Sequence, residues 1–294
     1  MKFDDEMNIS LIIYGGNNMP VHDELGTRMK EFYEQIPKTR LMRRCPVVLR
    51  LDGRAFHTFT KGFQRPFDNV LIQTMQDTMK YLCENIQGCV FGYTQSDEMS
   101  LVLVDYKKLN SSAWFDYEVQ KMCSIAASMA TMAFNKYFIE NVEDFIQNCA
   151  TEYETHGLCG EETTEYKLCK VYQRAVDKGA MFDARCFNIP KEEVANYIYW
   201  RQLDASRNSI QMVGQANFSH KELQNKSCND IQDMLMNQKG INWNDLEIHK
   251  RRGSCCIKEM CEDSERTHWI IDYTIPIFKG ENREYIERFI YFNE

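Results

Sequence analysis

Long apolar runs are missing from this 294-residue sequence. None approaches the roughly 18 residues that a membrane-spanning helix needs. Its start, MKFDDEMNIS, has neither the basic and apolar regions of a secretory signal nor the Arg-rich, acid-poor character of a transit peptide. A cytoplasmic protein is therefore expected. No C-x-x-C occurs among the twelve cysteines, which argues against both a zinc site and a disulfide framework. Cys45, Cys83, Cys89, Cys123 and Cys186 lie inside apolar segments and read as small buried hydrophobes. The group Cys149, His156, Cys159 and Cys169 matches no zinc spacing. The absence of G-x-x-x-x-G-K-[ST] excludes a P-loop NTPase, and the absence of G-x-G-x-x-G removes a Rossmann cofactor site. Internal repeats and low-complexity tracts are also lacking.

What is present is an ordinary globular composition, 44% hydrophobic and 27% charged. The length suffices for one large domain or two modest ones. A formal charge of −8 looks wrong for a nucleic-acid binder, but local patches, not the total, set phosphate contacts. Two patches stand out, KTRLMRR at 38–44 and HKRR at 249–252. Either could be solvated surface charge. The negative balance would make such patches and metal ions necessary for any polyanionic substrate.

Residues 1–22 read as an irregular arm, and 23–36 as a short helix. PVVLRLD at 46–52 has the near-continuous apolar character of a strand buried on both faces. Next, Val70, Leu71, Met75, Met79, Leu82 and Ile86 share one helical face. CVFGYTQ and EMSLVLV form two strands joined at Ser96-Asp97, a hairpin. A long helix is expected over 113–140, with a small-residue face in CSIAASMATMAF, followed by a polar loop or insertion over 149–170. A strand at 180–189 and a helix at 191–215 follow. Ser219 with Glu222 gives a capping box, and Gly240 a left-handed helix stop. Two further strands, RGSCCIKEM and HWIIDYTIPIF, close the chain. Strand–helix–strand–strand–helix–strand over 46–189 is the split βαβ order of an α+β, ferredoxin-like antiparallel sheet.

In that order the first strand lies beside the hairpin, so Asp52 would face Asp97. Taken singly, Asp97 is as well explained as a turn residue and Asp52 as a partner for Arg50 or Arg54. Together at matching sheet positions they suggest a divalent-cation site. Hard oxygen donors without nearby His or Cys suit Mg²⁺, and paired ions of this kind serve phosphoryl and nucleotidyl transfer. Gly53 lets the backbone approach a ligand, GRAFH presents successive amides, and Arg54, Lys61 and Arg65 add positive charge. Two rivals use the same residues differently: a palm-type nucleotide cyclase, and a non-catalytic RNA-binding protein that has kept the fold.

RLDGRAFHTF, FQRPFD, YTQSDEMS, FDAR and YWRQLDASRNS, in that order, resemble the tRNA(His) guanylyltransferase family, the 3′–5′ nucleotide-adding polymerases. The resemblance implies a core similar to a polymerase palm over 23–215, with 216–294 contributing to RNA binding and oligomer contacts. It implies two Mg²⁺ ions held by Asp52, the Gly53 carbonyl and Asp97, with Ser96 and Glu98 important for activity. Gly53, Arg54, Ala55, Phe56 and His57 match the segment that cradles the triphosphate. Arg65 stands where the family often has a phosphate-touching lysine, and Asp204 and Asn208 lie on a helix beside the centre.

Eukaryotic members continue with His-Ile-Asn-Asn where this chain has Ser206, Arg207, Asn208 and Ser209. The sequence is therefore more similar to the Thg1-like branch, whose members fill in missing 5′ nucleotides against a template. The implied partners are tRNA, ATP, GTP and other NTPs, and the implied assembly is a homotetramer. His220, Lys221, Lys239, Lys250, Arg251 and Arg252 are candidate RNA contacts, each taken singly better explained as an ordinary surface charge. Trp200, Trp243 and Trp269 would either stack on bases or pack in the core.

Overall fold

The computed structural model describes residues 23–156, 163–260 and 266–292, with the side chains of 152–156 excepted. The arm expected over 1–22 therefore lies outside the described residues. The chain divides into two compact units, 1–38 and 39–294. In the first, helix α1 (Glu24–Met29) runs on into a π-turn over Lys30–Glu34.

The second unit is built on one antiparallel sheet. In chain order it contains β1 (Val47–Gly53), α2 (Phe56–Phe59), α3 (Asn69–Asn85), β2 (Cys89–Gln95) and β3 (Glu98–Leu103). Then come α4 (Val119–His156), α5 (Thr164–Lys178), β4 (Phe182–Asn188) and α6 (Lys191–Asn217). Short helices α7 (His220–Leu223), α8 (Cys228–Met234) and α9 (Ile248–Arg252) precede β5 (Ser254–Met260) and β6 (Thr267–Asp272). The strand order β4-β1-β3-β2-β5-β6 contains the expected split βαβ arrangement in its first four strands. The last two strands, drawn from the 216–294 stretch, extend the same sheet past β2.

Alternation along β1 explains both layers. Val47, Leu49 and Leu51 point to one face and join Met75, Met79 and Leu82 of α3 with Ala126, Ala130 and Phe134 of α4. Val48 points to the other face and joins Phe91, Tyr93 and Val102 against Val194 and Ile198 of α6. Each such fully buried side chain contributes about 1.5–3 kcal/mol, so β1, covered on both sides, anchors the fold. Ala126 and Ala130 of α4 are fully buried, which is the use of the small-residue face.

The polar stretch at 149–170 is not a loop where it is described. α4 continues to His156, and α5 begins at Thr164, with the Thr163 hydroxyl accepting from the Tyr166 amide as its N-cap. Glu, Lys and Gln are good helix formers. Leu168, Val171, Tyr172 and Ala175, at helical spacing, supply enough apolar surface to dock on the core. Cys159 lies outside the described residues. Among those described, no group of three His, Cys, Asp or Glu residues is placed to hold a metal. Cys83, Cys89, Cys255 and Cys256 are buried. The Ser219–Glu222 capping box forms, and Gly240 ends its helix with φ +67°. No helix among the described residues is long and apolar enough to cross a membrane.

Candidate active site

β1 carries Asp52 to the end of the sheet's strands, where it sits opposite Glu98 on β3 and Asp183 on β4. The chain then turns sharply. Ala55 adopts a left-handed conformation (φ 55°, ψ 37°) and starts α2, whose Thr58 and Phe59 amides donate to the Ala55 carbonyl. The β2–β3 hairpin arrives from the other side, with Gln95 paired to Glu98 and only Ser96 and Asp97 in the loop. Ser96 is also left-handed, at φ 52°, and its hydroxyl donates to Asp97 Oδ1 at 3.1 Å. The Gly53 amide donates to the Asp97 carbonyl at 3.0 Å, which fixes the two turns against each other.

Between them opens a cleft of about 650 Å³ lined by Asp52, Gly53, Ala55, Phe56, His57, Lys61, Gln64, Arg65, Ser96 and Asp97. α6 closes one wall with Met212 and Gln215. The cleft is acidic at the strand ends and basic along the 57–65 loop, which suits a metal-associated polyphosphate. Burial pushes the Asp97 carboxyl above its usual range, against its own amide and the Ser96 hydroxyl, and the Asp52 charge adds to the rise. A carboxylate held charged beside another in a partly desolvated site gains most from a cation. Two carboxylates, with Gly53 beside them and open space for phosphate and water, fit the incomplete protein shell typical of Mg²⁺.

Phe56 lines the cleft with one edge but belongs to an aromatic cluster with Phe59, Phe134 and Phe182, at centroid distances of 5.2, 5.4 and 5.3 Å. Arg54 does not enter the cleft; its amide donates to the Met181 carbonyl and its side chain is exposed. Glu98 is not on the cleft either. It is buried, with Oε1 accepting from Arg201 Nε at 2.7 Å and Oε2 accepting from Arg201 Nη2 at 2.7 Å and Arg50 Nη2 at 2.6 Å. Desolvation raises its carboxyl above the usual range, with Arg201 and Arg50 opposing the rise. Asp204 is likewise held, by Arg201 at 2.9 Å and by Arg207.

Asn208 lines a second, smaller pocket that shares Asp68, Leu71, Ser96 and Met212 with the cleft. Lys250 and Arg251 of α9 line this pocket too, so the HKRR patch lies beside the centre. The neighbouring Arg252 carbonyl accepts from the Tyr93 hydroxyl. His220, Lys221 and Lys239 are exposed and line neither pocket. Trp243 and Trp269 are buried, whereas Trp200 is 53% exposed.

Sequence reasoning passed over Asp68. This buried carboxylate caps α3 through the Leu71 amide and accepts from the Gln64 amide and the Tyr172 hydroxyl, at 2.9, 2.9 and 2.7 Å. An Asp just ahead of an apolar helical pattern was the available signal. Met212 and Gln215 follow Asn208 at i+4 and i+7, the spacing of one helix face.

An antiparallel palm with two carboxylates over a basic cleft is the framework of a nucleotidyltransferase. The tRNA(His) guanylyltransferase profile matches residues 26–190, and the chain belongs to that family. It is 41% identical to a bacterial tRNA(His) guanylyltransferase (Thg1)-like protein solved in complex with ATP, with a TM-score of 0.73 over 92% of this chain and 100% of the other. Against such a protein solved in complex with GTP the identity is 38% and the TM-score 0.71, with the same coverage of both chains. Over 239 residues it is 26% identical to a probable tRNA(His) guanylyltransferase of Dictyostelium discoideum, spanning 77% of this chain and 80% of that one.

Proposed function

We propose that this chain adds nucleotides in the 3′–5′ direction to the 5′ end of tRNA, directed by the opposite strand, as a homotetramer in the cytoplasm. The observation that carries the reading is the shared cleft, which brings Asp52 and Asp97 opposite the basic 57–65 loop. Complexes of Thg1-like proteins with ATP and GTP support the nucleotide assignment.

The chemistry is two displacements at phosphorus. The 5′-monophosphate first attacks the α-phosphorus of ATP, forming a phosphoanhydride and releasing pyrophosphate. The 3′-hydroxyl of an incoming NTP then attacks the activated 5′ phosphorus; its proton is lost, a phosphodiester forms and AMP leaves. A 5′-triphosphate end undergoes only the second displacement and releases pyrophosphate. Two Mg²⁺ ions, when bound by Asp52, Asp97 and the Gly53 carbonyl, supply Lewis-acid polarisation of the attacking and leaving oxygens. His57, Lys61 and Arg65 hold the triphosphate, while the Gly53 and Arg54 amides are already committed to the Asp97 and Met181 carbonyls. Asn208, Lys250 and Arg251 extend the site along α6 and α9, where RNA backbone would enter. Residues 216–294 add RNA and oligomer contacts, among them His220, Lys221, Lys239 and Arg252. Base pairing selects the nucleotide.

The test is NTP- and Mg²⁺-dependent extension of a tRNA lacking its first 5′ nucleotide. Extension is expected, with near-complete loss in folded Asp52→Ala and Asp97→Ala variants. Addition to tRNA(His) opposite C73 should exceed addition opposite A73; equal rates would remove the template-directed assignment. Cyclic nucleotide from NTP alone would favour the cyclase, and RNA binding without turnover the scaffold.

A further inference from the structure

Asp52 stands between two guanidinium groups that do not close on it. Its Oδ2 is 4.0 Å from Arg50 Nη2 and 3.9 Å from Arg185 Nη2, beyond hydrogen-bond reach. Each guanidinium is drawn instead to another carboxylate. Arg185 donates to Asp183 at 3.1 Å, a pair more than half exposed on both sides. Arg50 donates to Glu98 at 2.6 Å, and there the side chains are only 19% and 6% exposed. Arg201, 5% exposed, grips Glu98 from behind with two bonds of 2.7 Å.

Arg50 is also under-satisfied, because its buried Nε finds no partner. A guanidinium with a spare donor, so near a carboxylate oxygen, needs to move only about 1 Å to reach bonding distance. What prevents this is the stronger attraction of Glu98, whose position Arg201 fixes. Among the described residues, Asp52 and Glu98 are the two carboxylates within 4.0 Å of Arg50. If the charge at Glu98 were lost, Asp52 would be the nearest anion left.

We propose that Glu98 is a positioning residue that restrains Arg50, so that the Asp52 carboxylate stays available to a divalent cation. The inference rests on reading Asp52 and Asp97 as cation carboxylates. Glu98 supplies no ligand; it acts through Arg50. A guanidinium bonded to Asp52 would occupy the lone pairs and cancel the charge that a cation needs, in direct competition for one oxygen.

The experiment measures Mn²⁺ binding to the full chain by the electron paramagnetic resonance signal of the free ion, without RNA or nucleotide. Asp52→Asn tests the underlying reading: if it binds Mn²⁺ like the parent chain, the cation site itself is wrong, whatever Glu98 does. Given a loss there, Glu98→Gln should bind about tenfold more weakly than the parent, the effect of one competing charge-assisted bond. Arg50→Met alone should bind at least as tightly as the parent. The double variant Glu98→Gln with Arg50→Met should recover binding to within about threefold of the parent. Should Glu98→Gln fail to fold, Glu98→Asp, which withdraws the carboxylate by one methylene, carries the same expectation with the same rescue. Parent-like binding in a folded Glu98 variant, or a double variant as weak as the single one, overturns the proposal. A purely structural role for Glu98 would lower thermal stability without any rescue of binding by Arg50→Met.

Discussion

The amide of Gly53 donates to the carbonyl of Asp97 at 3.0 Å. This bond ties the end of β1 to the β2–β3 turn, so the backbone positions that carry the two cleft carboxylates are fixed against each other. An ion pair or rotamer change could shift one carboxylate; the sheet register holds both turns in place.

Gly53 is also closely packed. A Cβ there would fall 2.3 Å from Phe56 Cδ2, and Phe56 cannot retreat into its aromatic cluster. Gly53→Ala is expected to cost about 1–3 kcal/mol and to abolish most extension activity, measured by urea denaturation beside the tRNA assay.

Two residues further on, the expectation reverses. Ala55 holds a left-handed conformation at φ 55° and is exposed. Ala55→Gly removes that strain, less the added entropy of the unfolded chain, and should stabilise the protein by about 0.5–1 kcal/mol. The denaturation midpoint would rise; a fall would mean that the turn is not strained.

Stability in chelator should depend on Asp97 and pH. Burial holds its carboxyl above the usual range, so the fold binds that proton more tightly than the unfolded chain does. The resulting stability is present below the unfolded pKa and is lost as pH rises through the folded one. At neutral pH the charge is therefore a liability, and Asp97→Asn should melt at a higher temperature than the parent. The advantage should vanish below about pH 4. Melting curves across that range decide it, and a difference independent of pH would contradict the stated cause.

Asp68 joins three elements. Asp68→Ala removes the cap of α3 and the acceptor for the Gln64 amide, and strands the Tyr172 hydroxyl. A loss of about 3 kcal/mol is expected from the cap and the unsatisfied hydroxyl together. Nucleotide affinity should fall as well, because the 60–68 loop that lines the cleft loses its tether. Tyr172→Phe, which deletes one bond, should cost about 1 kcal/mol and leave affinity nearly intact.

Much of the palm was legible because its signals are local. The alternation in β1, the 3.6-residue period of α3 and the two-residue loop between β2 and β3 each lie within a short window. The 149–170 stretch was misread because its composition is polar, and only Leu168, Val171, Tyr172 and Ala175, packed on the core, show what makes it helical. The partners of Glu98 were hidden for a related reason. Placed at the start of its strand by the sequence, it is turned by that strand toward Arg50 and Arg201, which no local pattern announces.

The sequence by itself determined the strand order of the palm and the presence of Asp52 at a strand end and Asp97 in a hairpin turn, since hydrophobic periodicity and turn chemistry are written in neighbouring residues. Only the tertiary structure decided which charges meet. Arg201 lies 103 positions from Glu98 and Arg50 lies 48 away, and ion pairs at such separations depend on sheet register and helix packing, which no local pattern records. The same folding carries Lys250 and Arg251 to a pocket beside the centre, while Arg54, two residues from Asp52, lines neither pocket.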